Sequence, residues 1–268
     1  MKNKPIGVFD SGLGGLTAVK ELIKILPNES IVYFGDTGRV PYGTRSEETI
    51  IKYTKQDIAF FREFSVKAII CACGTASSVG LPNVGKTDVP VIGVVEPTAK
   101  NAVSATKNKK IGIIGTEGTV SSGAYAKAIK NIDPSVSTFS KACTLFVPFV
   151  ENGYLDHEAT RIIAKEYLKP LKDEGVDTLI LGCTHYPLLK KVIGDIMGEE
   201  VTLIDAGKSA ADYVKELLIE KDMLSTNPVA EKRFFTSDTG TKFIKTAELF
   251  LNEKIDSIQK VDIEQVRL

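Results

Sequence analysis

The chain has 268 residues, 34 basic and 34 acidic side chains, no net charge, 43% hydrophobic content and 25% charged content. That length allows one large domain or two ordinary ones, and the composition is typical of a globular protein. There is no basic tail or stripe to suit nucleic acid or an anionic membrane, and no apolar run reaches membrane-spanning length.

Strand-like Ile6-Gly7-Val8-Phe9 begins almost at once, without a signal-peptide pattern. The four cysteines, Cys71, Cys73, Cys143 and Cys183, do not form a disulfide framework, so reduced thiols and a cytoplasmic location are expected. The first strand ends at Asp10. Ser11-Gly12-Leu13-Gly14-Gly15 then leads into an amphipathic helix over 16–26. A Gly-rich turn in that place offers backbone N–H groups to an anion, or is simply a tight turn. Its spacing matches neither a dinucleotide fingerprint nor a phosphate loop. A second strand, 31–36, runs into the loop Thr37 to Gly43. Ser46 caps a helix to about Phe64, with Glu47 and Glu48 in its first turn. Ala68 to Cys73 is a third strand, Pro90 to Val95 a fourth, and Glu96-Pro97 reads as a crossing between domains.

The second half opens with a strand at 110–115, followed by Thr116 to Val120 and a helix. The apolar run 142–150 encloses Cys143, which reads as core, and ends at Glu151-Asn152-Gly153. His157 reads as a solvated residue at the start of a helix over 157–173. Thr178-Leu179-Ile180-Leu181 is a buried parallel strand running into Gly182-Cys183-Thr184-His185, and Pro187 opens the next helix. Further helices are expected over 209–218 and 242–251, with a strand at 233–238 and an edge strand over 260–266.

The two halves echo each other. Ile6 to Gly12 matches Ile111 to Glu117, and Val91 to Val95 matches Val201 to Asp205. Aligning the third strands sets Cys73 on Cys183, Gly74 on Thr184 and Thr75 on His185. The fold expected is α/β: two pseudo-symmetric, doubly wound domains with mostly parallel sheets facing across a central cleft. Residues 1–96 plus 207–268 form the first and residues 97–206 the second. Ligands of open α/β sheets bind at the carboxyl ends of strands, where helix N-termini also lower thiol pKa. Each half thus offers one Cys at such an end.

Cys71-Ala72-Cys73 is not the C-x-x-C redox spacing. With two histidines in the chain, one of them exposed-looking, a zinc set is not expected, so no metal is assigned. Two opposed thiols suit removal of a proton from one face of a carbon and return of one to the other. Asp10 and His185 stand where each could assist one thiol. Hydroxyls and N–H groups at Ser11, Thr75, Thr116 and Thr184 could hold substrate carboxylates.

Asp10 to Leu16, Gly35-Asp36-Thr37 through Pro41-Tyr42-Gly43, Cys73-x-Thr75-Ala76, Gly115-Thr116 to Val120, and Gly182 to Pro187 together resemble the glutamate racemase family, over essentially the whole chain. The resemblance implies cofactor-independent interconversion of L- and D-glutamate, supplying D-glutamate for bacterial peptidoglycan. It implies Cys73 and Cys183 as the acid/base pair, Asp10 and His185 as assistants, and Asp36 and Glu151 as lesser candidates. Ser11, Tyr42, Gly43, Gly74, Thr75, Thr116 and Thr184 become the ligand-contact positions, and a homodimer is admitted. His185 after Cys-Thr favours glutamate over aspartate. The family pattern has Asn where this chain has Gly74, so a substrate contact is expected to be lost here and restored by Asn. The alternatives are a racemase of another small acidic amino acid such as aspartate, or a member that binds ligand without efficient turnover.

Overall fold

A computed structural model describes residues 1–240 and 243–266. The first half lays down β1 (Ile6–Asp10), α1 (Leu16–Ile25), β2 (Ile31–Gly35), α2 (Glu47–Phe60), β3 (Ala68–Cys71), β4 (Val91–Gly93) and α3 (Val95–Ala105). The second continues with β5 (Lys110–Gly115), α4 (Glu117–Ser121), α5 (Ala124–Ile132), β6 (Ser137–Ala142), α6 (Phe146–Glu151), α7 (Glu158–Asp173), β7 (Thr178–Leu181), α8 (Lys190–Met197) and β8 (Thr202–Asp205). The chain closes with α9 (Ala206–Glu220), β9 (Lys232–Thr236), α10 (Phe243–Leu251) and β10 (Gln259–Lys260).

Two sheets result, with strand orders β10-β9-β2-β1-β3-β4 and β6-β5-β7-β8, and their paired strands run parallel. The order β2-β1-β3-β4 recurs as β6-β5-β7-β8. This is the topological form of the echo in the sequence.

The central strands β1, β2 and β3 of the first sheet are buried throughout, so they are apolar at nearly every position. Alternation then sorts the side chains. Ile6, Val8, Tyr33 and Ile70 join the core under α1 and α9, while Phe9, Val32, Phe34 and Ile69 join a second core with Phe60 of α2. The second sheet divides likewise, Leu179 and Leu181 on one side and Ile111, Ile113 and Ile180 on the other.

α9 carries the chain back from the second sheet to the first. Its N-cap, Asp205, accepts a bond from the Lys208 N–H at 3.0 Å. Gly207 lies against α1 so closely that a Cβ there would fall 3.1 Å from the Ala18 Cβ. Further on, fully buried Lys67 pairs with Glu29 at 2.5 Å and donates to the Met223 carbonyl at 2.8 Å. This pins the segment that delivers β9 beside β2.

Several boundaries differ from expectation, among them the third strand, which ends at Cys71 rather than Cys73. The strand at Pro90 stops at Gly93, and Glu96-Pro97 lies in the first turn of α3, where a missing N–H leaves no bond unmade. Tyr186 to Leu189 form a 3₁₀ turn, so α8 begins only at Lys190. The C-terminal edge strand shrinks to β10: the Asp262 carboxylate accepts from the Glu264 N–H at 3.1 Å and turns the chain, burying Ile263. Lys242, where a helix was expected to start, lies outside the described residues. Among the described residues no helix is long and apolar enough to cross a membrane.

Candidate active site

The carboxyl ends of the two sheets are joined by hydrogen bonds. The Thr75 and Thr116 hydroxyls are 2.8 Å apart. The Gly118 N–H donates to the Gly43 carbonyl at 3.1 Å, and the Thr17 hydroxyl to the Thr184 carbonyl at 3.2 Å. Thr116 also caps α4, accepting from the Thr119 N–H at 3.3 Å.

Cys73 lies two residues beyond β3 and is nearly buried. Its thiol donates to the Ser11 hydroxyl at 3.4 Å and accepts from the Ala76 N–H at the same distance. Burial pushes the thiol up to about 12, and the charge of Asp10 adds to this, against the pull of Ser11 and the Ala76 N–H. The lowering expected from a helix N-terminus is thus outweighed by desolvation.

Asp10, at the end of β1, is buried and bonded elsewhere. One oxygen accepts from the Gly12 N–H at 3.0 Å, the other from the Thr184 hydroxyl at 3.4 Å. Burial raises its carboxyl above the ordinary value, although His185, the Gly12 and Gly15 N–H groups and Thr184 oppose the rise. Asp10 therefore reaches Cys73 through its field and the second sheet through a hydrogen bond.

Cys183 follows β7 after Gly182. Its sulfur is 3.9 Å from His185 Nδ1, and His185 Nε2 is 3.1 Å from Glu151 Oε1 at the end of α6. Burial pulls the imidazole down. Cys183, Glu151 and Asp10 outweigh it and hold the ring up at about 10. The ring also meets Phe250 of α10 edge-on, with centroids 5.0 Å apart. Cys143 is fully buried, its carbonyl accepting from the Tyr186 hydroxyl at 3.0 Å. His157 is exposed and caps α7 through Nδ1.

The loop after β2 holds a surprise for Tyr42 and Asp36. Tyr42 is buried, and its hydroxyl is committed to Asp36 and Asp57. Asp36 also accepts from Arg39 Nε at 2.6 Å and from the Ser237 hydroxyl at 2.7 Å. Both side chains are thus engaged behind the loop rather than with a thiol. Gly43 is the loop residue that touches the second sheet's loops.

Gly74 sits in a tight contact that bears on the gain expected from Asn. A Cβ at 74 would lie 2.1 Å from the Gly182 carbonyl oxygen, which is main chain and cannot swing aside. An Asn there cannot simply restore a substrate contact, because it must first drive the two strand ends apart. The sequence pairs Gly74 with Thr184 by repeat but gives no sign that it lies across from Gly182.

Asp57, Thr17 and Phe250 carry contacts that the sequence reading missed. Asp57 did leave a signal: it falls on the helical stripe Ile50, Thr54, Asp57 that α2 turns inward. Among the described residues no group of three or more His, Cys, Asp or Glu side chains could hold a metal ion.

The family model for Asp/Glu/hydantoin racemases matches residues 8–214. The chain belongs to that family. A glutamate racemase of Geobacter metallireducens is 47% identical over 263 residues, 97% of each chain. Among solved structures, a glutamate racemase isoform from Bacillus anthracis superposes with a TM-score of 0.94 at 41% identity, covering 98% of both chains. The glutamate racemase of Francisella tularensis, solved in complex with D-glutamate, gives 0.93 at 40% identity, covering 98% of this chain and 99% of that one. The family match takes in the loops that carry Cys73 and Cys183.

Proposed function

We propose that the chain interconverts L-glutamate and D-glutamate by a two-thiol acid/base mechanism without a cofactor. The observation that carries this is the matched placement of Cys73 and Cys183 beyond equivalent strands, β3 and β7, of two sheets that share a four-strand order. The full-length likeness to glutamate racemases, one of them holding D-glutamate, supports the choice of substrate.

In the reaction one cysteine, as thiolate, takes the α-proton and leaves a carbanion conjugated with the α-carboxylate. The other, as thiol, gives a proton to the opposite face and becomes the thiolate, so the two exchange roles with direction. His185, held by Glu151, serves the Cys183 side. Asp10 acts on the Cys73 side, its charge favouring the protonated thiol that donates to the substrate. Ser11, Thr75, Thr116 and Thr184, with nearby N–H groups, are assigned to the substrate carboxylates. In this reading residues 1–96 with 207–268, and residues 97–206, act as two bodies closing on the ligand. The reading also places the chain in the cytoplasm, supplying D-glutamate for peptidoglycan, in keeping with four free cysteines. It extends to a pair of chains, which light scattering on the purified protein would test.

The test is purified protein with L-glutamate in deuterated water and no added cofactor. Optical activity should decay to the racemic value, and deuterium should enter Cα. Exchange on aspartate but not on glutamate would replace the substrate. No exchange on either would leave a binding protein.

A further inference from the structure

Behind the Tyr42–Gly43 loop lies a buried cluster that the two-thiol scheme does not use. Asp36, just past β2, and Asp57, on α2, are both fully buried. The Tyr42 hydroxyl stands 2.9 Å from Asp57 Oδ2 and also contacts Asp36 Oδ2. A phenol has one proton to donate. With both carboxyl groups ionised, one contact would set the phenol lone pairs against a carboxylate oxygen. A proton kept by one carboxyl group and donated to the Tyr42 oxygen would satisfy both contacts.

The partners decide which one. Asp36 collects Arg39 Nε at 2.6 Å, the Ser237 hydroxyl at 2.7 Å and the Tyr42 hydroxyl, all suited to an anion. Beyond Tyr42, Asp57 has Arg39 Nη2 at 3.1 Å on its other oxygen. Burial, then the charge of Asp36, push the Asp57 carboxyl well above its ordinary value, against the pull of Arg39 and Tyr42. Asp10 adds to the push from β1, and Cys71 on β3 is near enough to feel the charge of Asp57. Glu264, 3.2 Å from Arg39 Nη1, competes for the one cation.

The cluster reaches the site through the next residue. The Gly43 carbonyl accepts from the Gly118 N–H at 3.1 Å, and a Cβ on Gly43 would come within 2.9 Å of the Thr116 Cβ. Thr116 in turn bonds Thr75 at 2.8 Å. We propose that Asp57 is a positioning residue: as a hydrogen-bond donor it clamps Tyr42, and through Tyr42 it holds the Gly43 main chain against Gly118 and Thr116. It thereby fixes the Thr75–Thr116 hydroxyl wall. The assignment of that wall to substrate rests on the glutamate reading.

Three measurements on the full chain test this. Carboxyl ¹³C NMR of aspartate-labelled protein, with Asp57→Asn to assign the signal, should show a protonated Asp57 at neutral pH. An ionised Asp57 overturns the proposal whether or not glutamate is a substrate. In glutamate racemisation, Asp57→Ala should raise KM by roughly tenfold while kcat changes less than about threefold, since a clamp bond to charged partners is lost. Asp57→Asn stays neutral and can still donate to Tyr42, so its KM should remain within about twofold of the parent. The parent KM should climb at alkaline pH as Asp57 ionises, and the Asn variant should lose that climb. Equal damage in both variants, or an unchanged alkaline climb in Asp57→Asn, overturns it. If the parent chain fails to exchange glutamate at all, the glutamate reading fails, and the NMR result alone decides the clamp.

Discussion

Cys73 and Cys183 occupy equivalent points of a repeated strand order, yet their surroundings share little. Cys73 rests on a neutral hydroxyl and a backbone N–H, with burial and Asp10 both acting against its ionisation. Cys183 rests on an imidazole that Cys183 itself, Glu151 and Asp10 hold up at about 10 against the effect of burial. The main-chain scaffold is repeated while the side-chain electrostatics differ. One side carries a resident proton store in His185; the other must have its proton drawn off against the field of Asp10. Under the proposed two-thiol scheme, proton removal from the two enantiomers is governed by different groups, even though the overall equilibrium between mirror images is fixed at unity.

The comparison can be broken at its root by removing either sulfur. Cys73→Ala and Cys183→Ala should each lower racemisation by about 10²–10⁴-fold, the usual scale for a lost acid or base, while Cys143→Ala should keep most of the activity. Circular dichroism of both enantiomers would read this. A Cys143 variant as impaired as the others, yet still folded, would dismiss the pairing.

The next largest effect should come from Gly74. Gly74→Ala and Gly74→Asn should both lower kcat/KM, on the order of 10²-fold for the bulkier Asn, because a displacement of about 1 Å at the reacting groups costs that much. Cβ contact with the Gly182 carbonyl, shared by both variants, is the cause. A gain of activity in the Asn variant would show that the strand ends part without penalty.

Glu151→Gln sharpens the Cys183 side. His185 holds its proton below about 10, and the Glu151 carboxylate is one of the groups holding it there. Without that charge the imidazole loses its proton at lower pH, so the alkaline limb of the rate profile should move downward. Glu151 is half-exposed, so solvent screening keeps the movement modest. A profile unchanged from pH 7 to 10 would remove Glu151 from this role.

Asp10→Asn should give the smallest and least symmetric effect. Asp10 opposes the Cys73 thiolate by its charge but holds Thr184 of the other sheet by a hydrogen bond. Removing the charge should ease proton removal by Cys73 while loosening Thr184. Cα-deuterium isotope effects measured from each enantiomer should therefore shift unequally. Equal shifts would mean that Asp10 serves both thiols alike.

The α/β class and both thiol positions were legible in the sequence because they rest on local patterns. Buried parallel strands are apolar runs such as Thr178 to Leu181, and the residue just beyond such a run stands at the sheet's carboxyl edge. His185 follows from the same reading, two residues past Cys183. What was illegible is contact across the cleft or between distant elements. Glu151 meets His185 from 34 residues away, Phe250 reaches the same ring from α10, and Gly74 faces Gly182. None of these leaves a periodic trace. The C-terminal edge strand failed for a different reason: alternation in Lys260 to Val266 was genuine, but the Asp262 side chain bonded the local backbone and ended the ladder.

The addition of β9 beside β2 has a consequence for how the chain is made. Synthesis runs from the N-terminus, and domains tend to fold as their residues emerge. The edge of β2, Ile31 to Gly35, has no neighbour on that side until Lys232 to Thr236 has been synthesised, roughly 200 residues later. An unpaired, apolar strand edge is a template for pairing with another chain. While the nascent polypeptide is on the ribosome, then, its oldest sheet is its most vulnerable part. A chain stopped before Lys232 would carry both cysteines and His185 but leave that edge open, making premature termination a route to aggregation rather than to a shorter enzyme.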